Sequence, residues 1–349
     1  MSVNGRDRVR KRLTAIDLFC GAGGLSEGLR QAGFRVVGAV EIDALACDTY
    51  AMNHASAKLW KTDIRKISGK GMMRALRIRP RQLDLLAACP PCQGFSTMRT
   101  RNGSRRNRDR RNDLIFEVLR IVRALQPRSV MIENVPGLAK NSRYRRFLRG
   151  LSALGYRMKW DILNAVDFNV PQRRQRLVLL ASREGEPEFA PKLQRRATVR
   201  RAIGNLASPR RSHDPLHNYK VRRSLKIQRR IRRIPANGGS RRALGQRSQL
   251  SCHRRSDGFK DVYGRMAWDR PGPTMTTGCI NPSKGRFLHP KANRAITLRE
   301  AALIQTFPKS YRFALRKGRY AVASLIGNAL PPEFIRCHAA ALRDAMLAG

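Results

Sequence analysis

Thr14-Ala15-Ile16-Asp17-Leu18-Phe19-Cys20-Gly21-Ala22-Gly23-Gly24 is the stretch on which the fold turns. A short apolar run breaks into a glycine loop, and Leu25 to Gln31 follows with helical spacing. Such a strand–loop–helix unit opens parallel α/β sheets, whose ligands lie at the carboxyl ends of the strands. The glycines let the backbone approach a bound group closely. Gly21-x-Gly23-Gly24 is not the dinucleotide spacing G-x-G-x-x-G, so a pyrophosphate is not implied. Arg35 to Ile42 reads as a second strand ending in an acid, Glu41, whose carboxylate can accept both hydroxyl protons of a ribose. A nucleoside without phosphates therefore fits this unit better than NAD or FAD.

The alternation continues through the N-terminal half. Leu83 to Ala88, Ser129 to Ile132, Tyr156 to Leu163 and Arg176 to Ala181 read as strands, and Asp113 to Leu125 and Arg143 to Leu154 as helices. The pattern predicts an α/β fold with a mostly parallel, doubly wound sheet and helices on both faces. From 184 to 294 the alternation fades. Basic clusters take over at Arg195 to Arg201, Arg222 to Arg233 and Arg241 to Arg255. This stretch reads as a second, smaller and irregular domain. Residues 1–183 form the first domain, completed by 321–349 with a helix after Pro331-Pro332, and 295–320 form a hinge.

The 349 residues hold 72 Lys and Arg against 24 Asp and Glu, a formal charge of +48. That imbalance calls for an extended anionic partner, and nucleic acid fits better than a membrane. No segment approaches the ~18 consecutive apolar residues that span a bilayer, and the basic stretches lack an apolar face. Seven scattered cysteines do not make a disulfide framework, and Met1 to Arg12 is basic without an apolar signal core. The expected compartment is a reducing cytoplasm. No metal is expected, because Cys89 and Cys92 have no second Cys/His pair at ligand spacing.

Chemistry concentrates in Cys89-Pro90-Pro91-Cys92-Gln93-Gly94-Phe95-Ser96, directly after the Leu83 to Ala88 strand. Two prolines fix the backbone and deliver Cys92 at a strand's carboxyl end, where an open α/β sheet places a nucleophile. Taken alone, the octet equally suits a small buried hydrophobe, and Cys-x-x-Cys leaves a redox pair open. Gly94 to Asn112 carries seven arginines and reads as a mobile loop able to close over phosphates, or as a charged linker.

Seven motifs, in chain order, resemble those of bacterial-type DNA (cytosine-5)-methyltransferases, which use S-adenosylmethionine. Asp17 to Gly24 resembles the family's cofactor loop, with Phe19, Gly21, Gly23 and Gly24 as contacts. Glu41 and Asp63, the latter in Thr62-Asp63-Ile64, resemble its acids for the ribose and the adenine amino group; Ile42 and Ile64 accompany them. Pro91-Cys92-Gln93 resembles the nucleophile motif, with Pro91 also on the cofactor, and Glu133-Asn134-Val135 the second catalytic motif. Gln172-Arg173-Arg174-Gln175-Arg176 resembles the basic motif beside the target base. Arg270-Pro271-Gly272-Pro273-Thr274 resembles the motif that organises the recognition domain. Gly327-Asn328-Ala329-Leu330-Pro331-Pro332 resembles the last motif, whose Asn328 returns to the cofactor. Two positions depart from the family's habit: Cys89 stands where a small residue is usual, and Ile42 where a tryptophan is frequent.

The resemblance implies a Rossmann-like S-adenosylmethionine-dependent methyltransferase sheet with a smaller DNA-recognition domain over 184–294. It implies methyl transfer to C5 of a cytosine flipped out of a specific double-stranded DNA sequence. Cys92 would bond to C6, Glu133 would donate to N3, and Arg174 and Arg176 would serve the pyrimidine O2 and hold Glu133. The implied partners are double-stranded DNA and a restriction endonuclease acting on the same site. A monomer is expected from the asymmetry of the task. Two alternatives stand beside it: a transfer-RNA methyltransferase built on the same motifs, against which the large basic second domain favours duplex DNA, and a non-enzymatic nucleic-acid binder with a degenerate site, against which the intact Cys92, Glu133, Arg174 and Arg176 speak.

Overall fold

The computed structural model describes residues 12–91, 113–245 and 261–348. Seven strands form one sheet in the order β3-β2-β1-β4-β5-β7-β6. They are β1 Thr14–Leu18, β2 Arg35–Glu41, β3 Lys58–Lys61, β4 Leu85–Ala88, β5 Ser129–Asn134, β6 Arg157–Asn164 and β7 Gln175–Ser182. The run from β3 to β5 is parallel, and β7 is antiparallel to both of its neighbours, β5 and β6. The central strands are buried on both faces, and side chains alternate between two cores as a period of two requires. Ile16, Leu18, Leu86, Ala88, Val130 and Ile132 enter one core, while Ala15, Leu85, Ala87 and Met131 enter the other.

Helices cover both faces. The first core is closed by α3 Gly69–Leu76, α4 Leu114–Leu125 and α5 Ser142–Ser152, through residues such as Met72, Ile115, Val118, Phe147 and Leu151. The second is closed by α1 Gly24–Gln31 through Leu25 and Leu29 and by the C-terminal helix, Pro332–Ala348, through Phe334, Ile335 and Leu342. The end of the chain thus folds back onto its beginning. Three elements of this layered part go beyond the sequence reading, α2 Ala44–Ala51, the short β3 and α3.

After β7 the chain turns irregular; among the described residues only the α-helices α6 Val199–Ile203 and α7 Leu225–Arg233 precede α8 Leu298–Ile304 and α9 Gly318–Asn328, and the C-terminal helix is α10. A third core gathers Val199, Ile203, Met275 and Phe287 with Leu298, Phe307, Tyr311, Val322 and Ile326, and it takes in Ala22 of the glycine loop. A fourth joins Ile231, Ile234, Leu244, Val262, Tyr263 and Leu288. Irregular backbone leaves carbonyls without ladder partners, and here a cation supplies them. Arg265 is 1% exposed and donates to the carbonyls of Ile231, Ile234, His289 and Ala292 and to Asn293 Oδ1. No helix among the described residues is long and apolar enough to cross a membrane.

Candidate active site

Sheet register brings the motifs to one edge. Leu18 of β1 pairs with Ala88 of β4, and Ala88 with Ile132 of β5. The glycine loop, the Cys89-Pro90-Pro91 turn and Glu133-Asn134 therefore leave the sheet side by side. Chain order reverses between β1 and β4, the switch point where open α/β sheets bind ligands. Because β7 enters antiparallel beside β5, its first residues, Gln175 and Arg176, reach the same edge.

The glycine loop is built by backbone that only some residues adopt. Phe19, Gly21 and Gly23 have positive φ, at 63°, 54° and 90°. At Gly24 a Cβ would lie 2.3 Å from the Leu330 carbonyl oxygen, so the last motif abuts this loop directly. Glu41 holds the loop from the next strand: Oε2 accepts from Gly21 N at 2.8 Å, and Oε1 accepts from Ile42 N and Asp43 N at 2.8 Å each. Beside it, Ile42 leaves its side chain 68% exposed. Tyr311, which the sequence reading passed over, braces the loop from below. Its hydroxyl donates to Ala22 O at 2.6 Å and lies 3.0 Å from His54 Nε2. Burial pulls His54 down to about 4, so a neutral ring donates to the tyrosine oxygen.

Beneath the loop lies a buried acid. Ser26 Oγ donates to Asp17 Oδ2 at 2.7 Å and sits 2.8 Å from the Tyr50 hydroxyl, while Asp17 Oδ1 has no side-chain hydrogen-bond partner among the described residues. Burial raises Asp17 to about 7, against the opposing pull of its Ser26 hydrogen bonds. The folded chain thus keeps a proton that the unfolded chain releases near its ordinary pKa of about 4. Stability from this group is complete below that pH and is lost as pH rises through 7. Asp17→Asn should flatten the decline and stabilise the protein at pH 8 by about 2 kcal/mol. Urea unfolding of both proteins at pH 5 and pH 8 reads the difference, and parallel curves would contradict it.

Asp63 caps the turn after β3, but Arg65 occupies it: the guanidinium meets both carboxylate oxygens, and Arg65 N donates to Oδ1 at 2.9 Å. The Arg65 hydrogen bonds hold Asp63 down at about 2. Ile64 is buried in the first core, and Asn328 is exposed at the end of α9.

Glu133 is the penultimate residue of β5 and is 2% exposed. Arg176 Nε lies 2.7 Å from its Oε1, in ion-pair contact rather than an aligned hydrogen bond, and Cys89 Sγ donates to Oε2 at 3.0 Å. Burial raises the Glu133 pKa, with the Arg176 charge and the Cys89 hydrogen bond opposing. Next to it, Asn134 Nδ2 donates to Pro90 O at 2.9 Å and ties β5 to the turn that leads into Cys92. Cys92 itself, Gln93 and the Gly94 to Asn112 loop lie outside the described residues.

Only one of the two arginines reaches Glu133 with its side chain. Arg174, 2% exposed, donates from Nη1 to Met275 O at 2.9 Å and from Nη2 to Gly327 O and Ala329 O at 3.1 and 3.2 Å. It clamps the irregular segment after Arg270–Thr274 to the last motif. Gln172 works beside it, donating to Ile304 O and accepting from Met275 N. Arg174→Met should cost about 3 kcal/mol of stability, because it strands buried carbonyls. A urea midpoint equal to that of the native chain would contradict this.

The profile of the family described as C-5 cytosine-specific DNA methylase matches residues 13–343. The chain belongs to the C-5 cytosine-specific DNA methylases. Among curated relatives, the methylase is 35% identical over 335 residues to the Type II methylase M.HgiDII of Herpetosiphon aurantiacus, covering 90% of this chain and 91% of that one. It is 33% identical over 340 residues to the Type II methyltransferase M1.BsuMI of Bacillus subtilis, covering 91% and 77%. Its fold resembles the crystal structure of a DNA modification methyltransferase encoded within a prophage (E. coli). The TM-score is 0.74 at 23% identity, over 96% of this chain and 99% of that one. It is thus an enzyme that methylates cytosine in DNA at C5.

Some arginines of the methylase's basic stretches are internal, which their sequence does not reveal. Arg230 is 8% exposed against the Tyr263 ring and Arg241 is 4% exposed; Arg200, by contrast, is exposed, pairs with Asp269 and stacks on Trp268. The Arg200 and Arg230 guanidiniums thus lie against aromatic rings. The rest of the third cluster, with Arg247, Arg254 and Arg255, falls outside the described residues.

Proposed function

We propose that the methylase transfers a methyl group from S-adenosylmethionine to C5 of a cytosine flipped out of a specific double-stranded DNA sequence, through a transient bond between Cys92 and C6. The observation that carries this reading is the Glu133–Arg176 pair beside the turn that Asn134 holds at Pro90. A buried carboxyl with a raised pKa, two strands away from the glycine loop, is what N3 protonation needs.

The loop suits a nucleoside sulfonium. Gly21 has open space where a Cβ would stand, Ile42 offers an exposed apolar side chain, and Glu41 is fixed by three backbone amides. Phe19, Gly21, Gly23, Gly24, Glu41, Ile42, Pro91 and Asn328 would hold the group. Asp63 would reach an adenine amino group once Arg65 yields, with Ile64 supporting from the core. When bound, S-adenosylmethionine supplies an electrophilic methyl.

The chain's own residues make the cytosine reactive. The Cys92 thiolate adds at C6 and pushes electron density toward N3. Glu133, holding its proton, donates it to N3 and accepts from the exocyclic amine, which also selects cytosine. C5 becomes enamine-like and takes the methyl. Loss of the C5 proton then expels Cys92. Arg176 keeps Glu133 in place and offers donors toward O2; Arg174 acts through the backbone it clamps. Residues 184–294 would supply the recognition surface, with arginines divided between phosphates and guanine edges. The Type II names of the relatives support a restriction endonuclease acting on the same sequence, a DNA substrate supports a cytoplasmic, nucleoid-associated enzyme, and the asymmetry of the task supports a monomer.

The test is incubation of the full chain with duplex DNA and methyl-tritiated S-adenosylmethionine, followed by bisulfite sequencing. The expected result is 5-methylcytosine within one short recurring sequence. Label on transfer RNA in place of the duplex, or no label, would contradict the reading.

A further inference from the structure

We propose that Cys89 is a positioning residue for this reaction: its thiol hydrogen-bonds Glu133 and fixes the orientation in which that carboxyl meets N3 and the exocyclic amine of cytosine. The inference deepens the reading of Glu133 as proton donor and rests on it. Cys89 Sγ approaches Oε2 at 3.0 Å, while Arg176 Nε approaches Oε1 at 2.7 Å. Among the described residues each oxygen therefore has one polar side-chain neighbour, Cys89 directly after β4 and Arg176 in β7. The last torsion of a glutamate is broad and two-fold, so a single contact would leave the carboxyl free to turn. Two contacts from different strands remove that freedom.

The cysteine is itself held. Cys89 N donates to Leu18 O at 3.2 Å, and the next residue is fixed by Asn134 Nδ2 on Pro90 O. Among the described residues, the charged groups around the pair are Arg176 from β7, Arg174 just before that strand and Asp17 from β1. Among these a thiol is the weakest kind of donor. It orients the carboxyl without binding the ionised form strongly, which suits a group that must keep its proton until N3 takes it. A hydroxyl at the same place would favour the carboxylate more.

The sign follows. The Cys89 hydrogen bond favours ionised Glu133, so its removal raises the pKa of the acid and moves the alkaline limb of activity to higher pH. Cys89→Ala should shift that limb of the kcat–pH profile up by about half a pH unit and lower kcat by about three- to tenfold. Cys89→Ser should return kcat to within about twofold of native and place the limb at or below the native position. A Cys89→Ala limb that overlays the native one, whatever the change in kcat or melting temperature, overturns the proposal. A readout free of turnover is the infrared S–H stretch of the full chain, assigned by its loss in Cys89→Ala. The band should shift when Glu133 is replaced by alanine, and an unmoved band overturns the proposal as well. Glu133→Gln with native turnover would instead remove the proton-donor reading itself, and the inference with it.

Discussion

Glu133→Gln is expected to lower the rate of methyl transfer by about a hundred- to ten-thousand-fold, with DNA affinity close to native. The amide keeps the shape of the carboxyl and can still face Arg176 and Cys89, which contact Glu133 at 2.7 and 3.0 Å. It carries no proton that N3 could take, so electron density pushed into the ring by the nucleophile has no relief. The pH profile gives a second reading of the same change. Burial raises the pKa of Glu133. The active, protonated form therefore persists above the ordinary glutamate range and is lost as pH rises through the folded value. The native enzyme should show this alkaline decline in single-turnover rates, and Glu133→Gln should not show it. A glutamine variant with native rates and the native decline would remove Glu133 from the chemistry.

Cys92→Ser is expected to have the largest effect, a loss of at least about ten-thousand-fold in methyl transfer. A serine hydroxyl at neutral pH is almost wholly protonated, and a thiolate is the far better nucleophile toward C6. Folding should be unaffected, since the substitution is small and nearly isosteric. Turnover above a few per cent of native in Cys92→Ser would contradict a covalent role for this residue.

How much of this was legible in the sequence follows from what each residue does. β1, β4 and β5 are apolar runs buried on both faces, so composition alone announces them. The glycine loop was legible because positive φ and the close approach of Leu330 leave few residue choices. β3 was not. Lys-Leu-Trp-Lys is four residues at the sheet edge with charged ends, and nothing local marks it as a strand. In α2, five of eight residues are buried, so it lacks the polar stripe that makes a helical period visible. The division between Arg174 and Arg176 was hidden for another reason. Both sit in one basic motif, and only the placement of the Met275, Gly327 and Ala329 carbonyls turns the first into a clamp. The Cys89 contact is likewise a product of strand register, joining residues 44 apart.

The central claim is a temporary bond between the sulfur of residue 92 and the target ring, and 5-fluorocytosine in a recognised duplex tests it most directly. Fluorine at C5 cannot leave as a proton does, so the ring should stay bonded to the enzyme after methyl transfer. Intact mass of the full chain, incubated with that duplex and S-adenosylmethionine, should show a stoichiometric adduct mapping to Cys92 and lost in Cys92→Ser. Methylation of ordinary duplex with no trapped species on the fluorinated one, or a trap that survives Cys92→Ser, would contradict the account.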